Sequence, residues 1–322
     1  MPNIGTRIIL APLSACSDLA YRVIAREYGA KFCFFEMIDA HSLVYDSPRA
    51  NRILRTTPSD QPIAAQLLGL DQEVMLRAAE IILKRSPIRF LDINAACPAR
   101  KVFKKGVGSC LFKNPTPLYE LIAYLRERLP VPITVKMRVG LTRVDIPQAV
   151  QMAQGCQSAG ASALFVHGRP RALENYGEVS YEAIRAVKQA VSIPVYGSGN
   201  VLNPPLAKKM LDLTGADGVL IAKGSFGNPF IFKEVEDYLQ TGLWTPRLNI
   251  LEKLSALKKH LLLAKDIDGE RLNLRIGEMG KICLWYLKGF QEASRLRTKV
   301  FASRNSAELF DLINSLEDAA AR

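Results

Sequence analysis

Apolar residues in the first two thirds of the chain gather in short, nearly continuous runs rather than in strict alternation. Eight such runs, at 8–13, 32–37, 63–68, 90–95, 133–138, 163–168, 194–199 and 218–223, end at small or polar residues. Uninterrupted runs of this kind fit parallel strands covered on both faces. Between them the period changes. Stretches at 71–85, 115–129, 147–159, 181–191, 205–213 and 230–239 carry a helical pattern, the second opened by Pro115 and the third closed before Gly160. Proline is at home in a first helical turn because its missing N–H would be unsatisfied there anyway. Eight βα units predict an α/β fold, a (β/α)8 TIM barrel. No G-x-G-x-x-G follows the first run, which argues against an open dinucleotide-binding sheet. The rhythm breaks at 241–249, TGLWTPRLN, and beyond it only helical patterns follow, at 250–265, 271–289, 292–300 and 306–318. The expected organisation is a barrel over 1–242 and a small all-helical domain over 243–322. Ser306 is the expected cap of the last helix.

Composition narrows the class. Of 322 residues, 48% are hydrophobic and 23% charged, enough to bury a full core. No segment reaches about 18 uninterrupted apolar residues, so no membrane span is expected. The N-terminus lacks a leader layout, and the cytoplasm is the default location. Lys plus Arg number 43 against 31 acids, a formal charge of +12 that suits a polyanionic partner as well as it suits a basic enzyme. The six cysteines are scattered and only three histidines are present, so neither a metal site nor a disulfide framework is expected.

In a barrel, chemistry sits where strands run out into the βα loops. The first run ends Ala11–Pro12–Leu13–Ser14–Ala15 and the second Glu36–Met37; the third carries Gln66. Ser198, Gly199, Asn200, Ala222, Lys223 and Gly224 close the seventh and eighth, where small residues expose backbone N–H groups and Lys223 adds a cation. That is the usual phosphate position of this fold. Lys136, Arg138, His167 and Arg169 bring cationic or hydrogen-bonding groups to neighbouring strand ends. They suit an electron-rich ring that becomes anionic on reduction, as a flavin does, or else an ion-pair cluster with Glu36 or Asp92. Cys97 lies just past the fourth run, with Arg100, Lys101, Lys104 and Lys105 close behind. Those cations favour thiolate and attract a phosphodiester backbone. Cys33 and Cys156, within strand or helix patterns, read as small buried hydrophobes.

Taken together, these blocks resemble the tRNA-dihydrouridine synthases, and most closely their bacterial B-type branch. The likeness rests on Ala11–Pro12–Leu13, Glu36–Met37, Gln66, the D-I-N-x-x-C-P-x-x-K-V block at 92–102, the stretch 106–109, Lys136–Met137–Arg138 and His167–Gly168–Arg169. It continues through 176–195, 227–232 and 285–289 with Leu296–Arg297, nearly the whole chain. The resemblance implies an FMN-dependent, NADPH-recharged reduction of the C5–C6 double bond of selected uridines in tRNA. It implies Cys97 as the acid that protonates C5 while the flavin delivers hydride to C6. It places Pro12, Leu13, Gln66, Lys136 and His167 at the flavin ring, and Ser198, Gly199, Asn200, Ala222 and Lys223 at its phosphate. Asn94 and Arg138 fall towards the uracil, with Arg169 in the same group. A monomer is implied; a membrane or DNA partner is not.

The chain departs from the usual family pattern at Ala96 (commonly Gly), Leu13–Ser14–Ala15 (Met-Ala-Gly), Ser198–Gly199–Asn200 (Asn-Gly-Asp), Ala222–Lys223 (Gly-Arg) and Pro170 (Thr). Three functions compete on these residues: an RNA uridine reductase, with ribosomal RNA as the alternative to tRNA; an RNA-binding paralogue with altered catalysis; and a flavin enzyme acting on a small alkene. The tail favours RNA. Between 271 and 304 it carries eight basic residues and two acids, net +6, with Lys281, Arg295 and Arg297 as the expected contacts.

Overall fold

The computed structural model describes residues 4–14, 16–245, 250–290 and 293–320. Ala15, residues 246–249 of the expected seam, and the predicted start of a helix at 292 lie outside them.

Eight parallel strands close a barrel in sequence order: β1 (Ile8–Leu10), β2 (Cys33–Asp39), β3 (Ile63–Leu68), β4 (Leu91–Ala95), β5 (Ile133–Arg138), β6 (Leu164–His167), β7 (Val195–Ser198) and β8 (Gly218–Ile221). All eight expected strands are present. β1 is shorter than its apolar run because Pro12 offers no N–H, and Leu13 N–H instead donates to Ser17 Oγ. The barrel interior is filled rather than hollow. Phe32, Phe34, Phe90, Phe165 and Tyr196 pack there with Ile9 and Leu220, and the Phe32 and Phe90 rings stack at 5.4 Å. A second apolar layer lies between the strands and the surrounding helices.

Helix Leu19–Glu27 follows β1 and was not legible in the pattern, because Arg22 sits on its buried face. Arg22 and Arg26 are held there by Asp60, at 2.8 and 3.0 Å. Short helices Ala40–Val44, Pro48–Ile53 and Arg100–Lys104 were likewise not expected.

The tail is helical as expected, with two differences. The stretch from 271 is not one helix; a 3-10 segment, Gly269–Arg275, precedes helix Ile276–Tyr286. The last helix, Ser306–Ala320, is capped by Asn305, whose Oδ1 accepts from Glu308 N–H at 3.0 Å, rather than by Ser306. The tail builds an apolar core of its own from helices Ile250–Asp268, Ile276–Tyr286, Ala293–Ala302 and Ser306–Ala320, which also takes in Ala20 and Phe230 of the barrel. Arg275 fastens the junction by pairing with Asp18, Asp268 and Glu278. Gly227 has φ +62°, and a Cβ there would lie 2.2 Å from the Trp285 carbonyl carbon, so only glycine lets the helix approach the β8 loop. Among the described residues, no helix is long and apolar enough to cross a membrane.

Candidate active site

Strand register builds the site in rows. Parallel pairing sets Gln66 beside Asp92, Asp92 beside Thr134, and Asn94 beside Lys136. At the C-terminal edge it sets Arg138 beside His167, and His167 beside Ser198. Residues far apart in sequence become neighbours because each strand offers one position at each level.

The first row forms a connected chain of hydrogen bonds. Thr134 Oγ1 and Gln66 Nε2 donate to the two Asp92 oxygens at 2.6 and 2.7 Å. Gln66 Oε1 accepts from Asn94 Nδ2 at 2.7 Å, and Asn94 Oδ1 accepts from the N–H groups of Ala96 and Cys97, at 3.1 and 2.8 Å. Ser109 Oγ closes the loop onto the Cys97 carbonyl at 2.8 Å. Burial pushes the Asp92 carboxyl up to about 7, against the opposing pull of its two hydrogen bonds and of Lys136. The backbone of Cys97 is thus held from both sides, while its side chain stays partly exposed.

Above this row lies a cavity of about 270 Å³ at the barrel mouth. Pro12, Leu13, Gln66, Asn94, Cys97, Lys136, Arg138, His167, Ser198 and Ala222 all line it. Asn94 and Gln66 reach it with their amides already engaged below. Arg138 Nε donates to the Ala96 carbonyl at 2.7 Å, and its Nη1 donates to those of Glu174 and Pro170, at 2.7 and 3.3 Å. Arg138 therefore ties the β4 and β6 loops together as well as facing the cavity. Lys136 forms no hydrogen bond or ion pair with another described residue. Burial, helped by the nearby Arg138 charge, pulls it down to about 8. Asp92 and Lys136 form no salt bridge; the carboxyl is held by Gln66 and Thr134 instead.

A smaller recess of about 50 Å³ continues the cavity past β7 and β8, lined by Gly199, Asn200, Ala222 and Lys223. His167, Ser198 and Asn175 line both spaces and join them into one cleft. Arg169, expected among the substrate-side residues, lines this recess. Its Nη2 donates to Asn200 Oδ1 at 2.6 Å and to the Gly177 carbonyl at 2.7 Å. Ser198 spends its hydroxyl on His167 Nδ1 at 2.9 Å. Lys223 lies over the Tyr176 ring at 5.0 Å, with its ammonium at the rim. Asn175 gave no signal in the sequence; it is a loop residue whose place only the fold sets.

His167 Nε2 is buried and has no hydrogen-bond partner. Burial and four surrounding cations hold this imidazole well below its ordinary range, so it is neutral. An orphaned buried polar atom costs about 1–3 kcal/mol unless something in the cleft satisfies it. A flat polar ring between His167 and Lys136, with an anionic tail towards Lys223, meets every such demand. The residues present fit FMN.

The tail cations are placed differently. Lys281, Arg295 and Arg297 are exposed, as are Arg100, Lys101, Lys104 and Lys105 beside Cys97. Lys281 lies within electrostatic reach of Cys16 in the β1 loop, so the tail borders the barrel mouth. Arg275, counted with the basic tail, is consumed by its three acids. All six cysteines are free thiols, and no cluster suited to a metal occurs among the described residues.

Residues 9–322 match the family model "Dihydrouridine synthase". The chain belongs to the dihydrouridine synthase family. It is 32% identical to tRNA-dihydrouridine synthase B of Shewanella oneidensis over 97% of this chain and 95% of that one. It is 35% identical to the protein of the same name from Pseudomonas aeruginosa (93% and 88% covered). For the Salmonella typhimurium protein the figure is 33% (97% and 96%). Among solved structures, a morphinone reductase variant in complex with tetrahydroNAD superposes with a TM-score of 0.51 at 15% identity, covering 74% of this chain and 87% of that one. That likeness concerns the barrel fold.

Proposed function

We propose that this member of the dihydrouridine synthase family reduces uridines of tRNA to 5,6-dihydrouridine, with Cys97 as proton donor, FMN as cofactor and NADPH as reductant. The observation that carries the assignment of roles is the cleft itself: a partly exposed thiol, a half-buried cation and an orphaned imidazole nitrogen line one cavity of about 270 Å³. When bound, FMN supplies the hydride. Lys136 keeps a positive charge at neutral pH, since its pKa of about 8 lies above 7, and so stabilises negative charge on a neighbouring ring. His167, fixed through Nδ1 by Ser198, presents Nε2 to the same ring. Pro12 and Leu13 supply apolar wall, and Gln66 its remaining amide hydrogen. Gly199, Asn200, Ala222 and Lys223 would receive the phosphate, with Arg169 holding Asn200 in place.

On the substrate side, the uridine leaves its stack to enter the mouth, as any base modified inside a folded RNA must. Cys97 protonates C5. Its loop is held by Asn94, Ser109 and Arg138, so the thiol meets the base at a set height. Arg100, Lys101, Lys104 and Lys105 attract phosphates at the rim, and Lys281, Arg295 and Arg297 grip the RNA body. Residues 1–242 act as the catalytic unit and 243–322 as the RNA-gripping unit of a cytoplasmic monomer. A small alkene would need neither set of exposed cations.

The test is direct. The purified protein should carry FMN and convert a tRNA transcript to its dihydrouridine form with NADPH, read by nucleoside mass spectrometry. Protein that holds no flavin after reconstitution, or leaves every uridine intact, defeats the reading.

A further inference from the structure

A second, larger hollow of about 620 Å³ opens beside the cleft, beyond the ends of β2 and β3. Its floor is apolar, made by Leu68, Leu70, Val74 and Met75. On one side stand His41 and Tyr45, their rings stacked at 4.8 Å and 26°. Tyr45 is 71% exposed, so its ring is open to a partner. The opposite wall is Lys105 and Val107, from the loop that carries Cys97. Lys105 reaches across to Asp39 at 3.5 Å and ties the two walls together.

The hollow and the thiol share a thin partition. Val107 lines the hollow, and the next residue, Gly108, packs against Cys97. Gly108 has φ +63°, and a Cβ there would lie 3.2 Å from Cys97 Cβ and 2.7 Å from Val102 Cγ1. Met37 and Gln66 line the catalytic cavity, while Asp39 and Leu68, two positions later on the same strands, line the hollow.

Its chemistry selects an aromatic base rather than a phosphate. Two carboxylates, Asp39 and Asp71, stand at the rim. Each accepts a backbone N–H as a helix cap, from Ser42 and Val74, and each keeps acceptor capacity. Asp39 is offset by its pair with Lys105, Asp71 disfavours an anion, and both can accept from the exocyclic amino or imino N–H of a base. The cations that would hold the attached phosphates, Arg100, Lys101 and Lys104, lie outside the hollow on the same loop as Cys97. Exposed rings beside a cationic track are how single-stranded nucleic acid is held. We propose that this hollow receives the nucleobase next to the target uridine, stacked on Tyr45, so that one base is parked while its neighbour faces Cys97. The proposal rests on the reading of tRNA as substrate.

Affinity and single-turnover dihydrouridine formation should be measured for wild type, Tyr45→Ala and Tyr45→Phe, on an intact tRNA transcript and on transcripts made abasic at either neighbour of the modified uridine. Tyr45→Ala should weaken binding of the intact transcript about 5- to 150-fold, and Tyr45→Phe should restore it. Flavin content and flavin reduction by NADPH should not change. One abasic transcript should bind wild type as weakly as Tyr45→Ala binds the intact one, and combining the two should cost nothing more. Equal affinity for Tyr45→Ala, or losses that add in full, would overturn the proposal. Slower flavin reduction would overturn it in favour of a site for the reductant. A wild type that forms no dihydrouridine defeats the functional reading and this proposal together, whereas an active wild type with unaffected variants defeats this proposal alone.

Discussion

The barrel mouth and the helical tail use charge in opposite ways. At the mouth, polar groups are buried and committed to one another: Asp92 to Gln66 and Thr134, Gln66 to Asn94, Asn94 to the Cys97 backbone, Arg138 to three carbonyls. In the tail, Lys281, Arg295 and Arg297 are exposed, while Arg275 is drawn into a partly buried cluster at the junction. A buried network holds geometry to a fraction of an ångström but makes each member hard to replace. Exposed cations tolerate replacement singly and act through number, screened by salt. Chemistry needs the first arrangement and recognition of a large anion tolerates the second.

The sharpest contrast should come from Cys97. Cys97→Ala should lower the single-turnover rate about 10²- to 10⁴-fold, the usual worth of a general acid, and leave flavin content and tRNA affinity near wild type. An unchanged dihydrouridine yield would make the thiol a structural residue. Next in size, Lys281, Arg295 and Arg297 reversed together to Glu should leave flavin content intact and make the log–log salt dependence of tRNA binding shallower by about two to three. Equal slopes would remove the tail from RNA binding. Lys223→Glu should weaken FMN about ten- to a hundredfold through charge repulsion at the recess. Titration of apoprotein with FMN reads this, and an unaltered affinity would move the phosphate elsewhere.

A further prediction concerns stability rather than activity. Asp92 has its folded pKa raised to about 7 from 3.8, so the native state holds a proton that the unfolded chain has lost. Its contribution is complete below about pH 4 and falls by roughly 1.4 kcal/mol per unit as pH rises towards 7. Asp92→Asn should remove that slope, so the stability difference between the two proteins should shift in the variant's favour across pH 4–7 in urea unfolding. Parallel pH profiles would mean that the carboxyl does not titrate in this window.

The legibility of each element follows from how local its cause is. The runs at 63–68 and 133–138 coincide with β3 and β5, because a strand buried on both faces leaves an unbroken apolar signature. Helix Leu19–Glu27 was hidden because a buried arginine interrupts its apolar stripe, and what makes Arg22 tolerable, Asp60, lies 38 residues away. The split of 271–289 was hidden too, since a 3-10 segment carries no period of its own. In the site, Cys97, Lys136, His167 and Lys223 were readable as strand-end chemistry. Arg169 lines the recess past β7 and β8, and Asn175 and the Tyr45 hollow were not foreseen.

By itself the sequence determined the alternation of strand and helix, the closure expected of eight βα units, the change to a helical tail, and the set of reactive side chains at the strand ends. These depend on spacing along one strand or one helix, which the chain states directly. Tertiary structure decided what those side chains do to one another. Strand register aligned Thr134, Asp92, Gln66 and Asn94 into one chain of hydrogen bonds, left His167 Nε2 without a partner, and turned Arg169 towards Asn200. Burial, which follows only from the closed barrel and its packed loops, moved Asp92 up to about 7 and Lys136 down to about 8. Desolvation and hydrogen bonding act through space, and no local pattern of residues encodes which distant groups will share it.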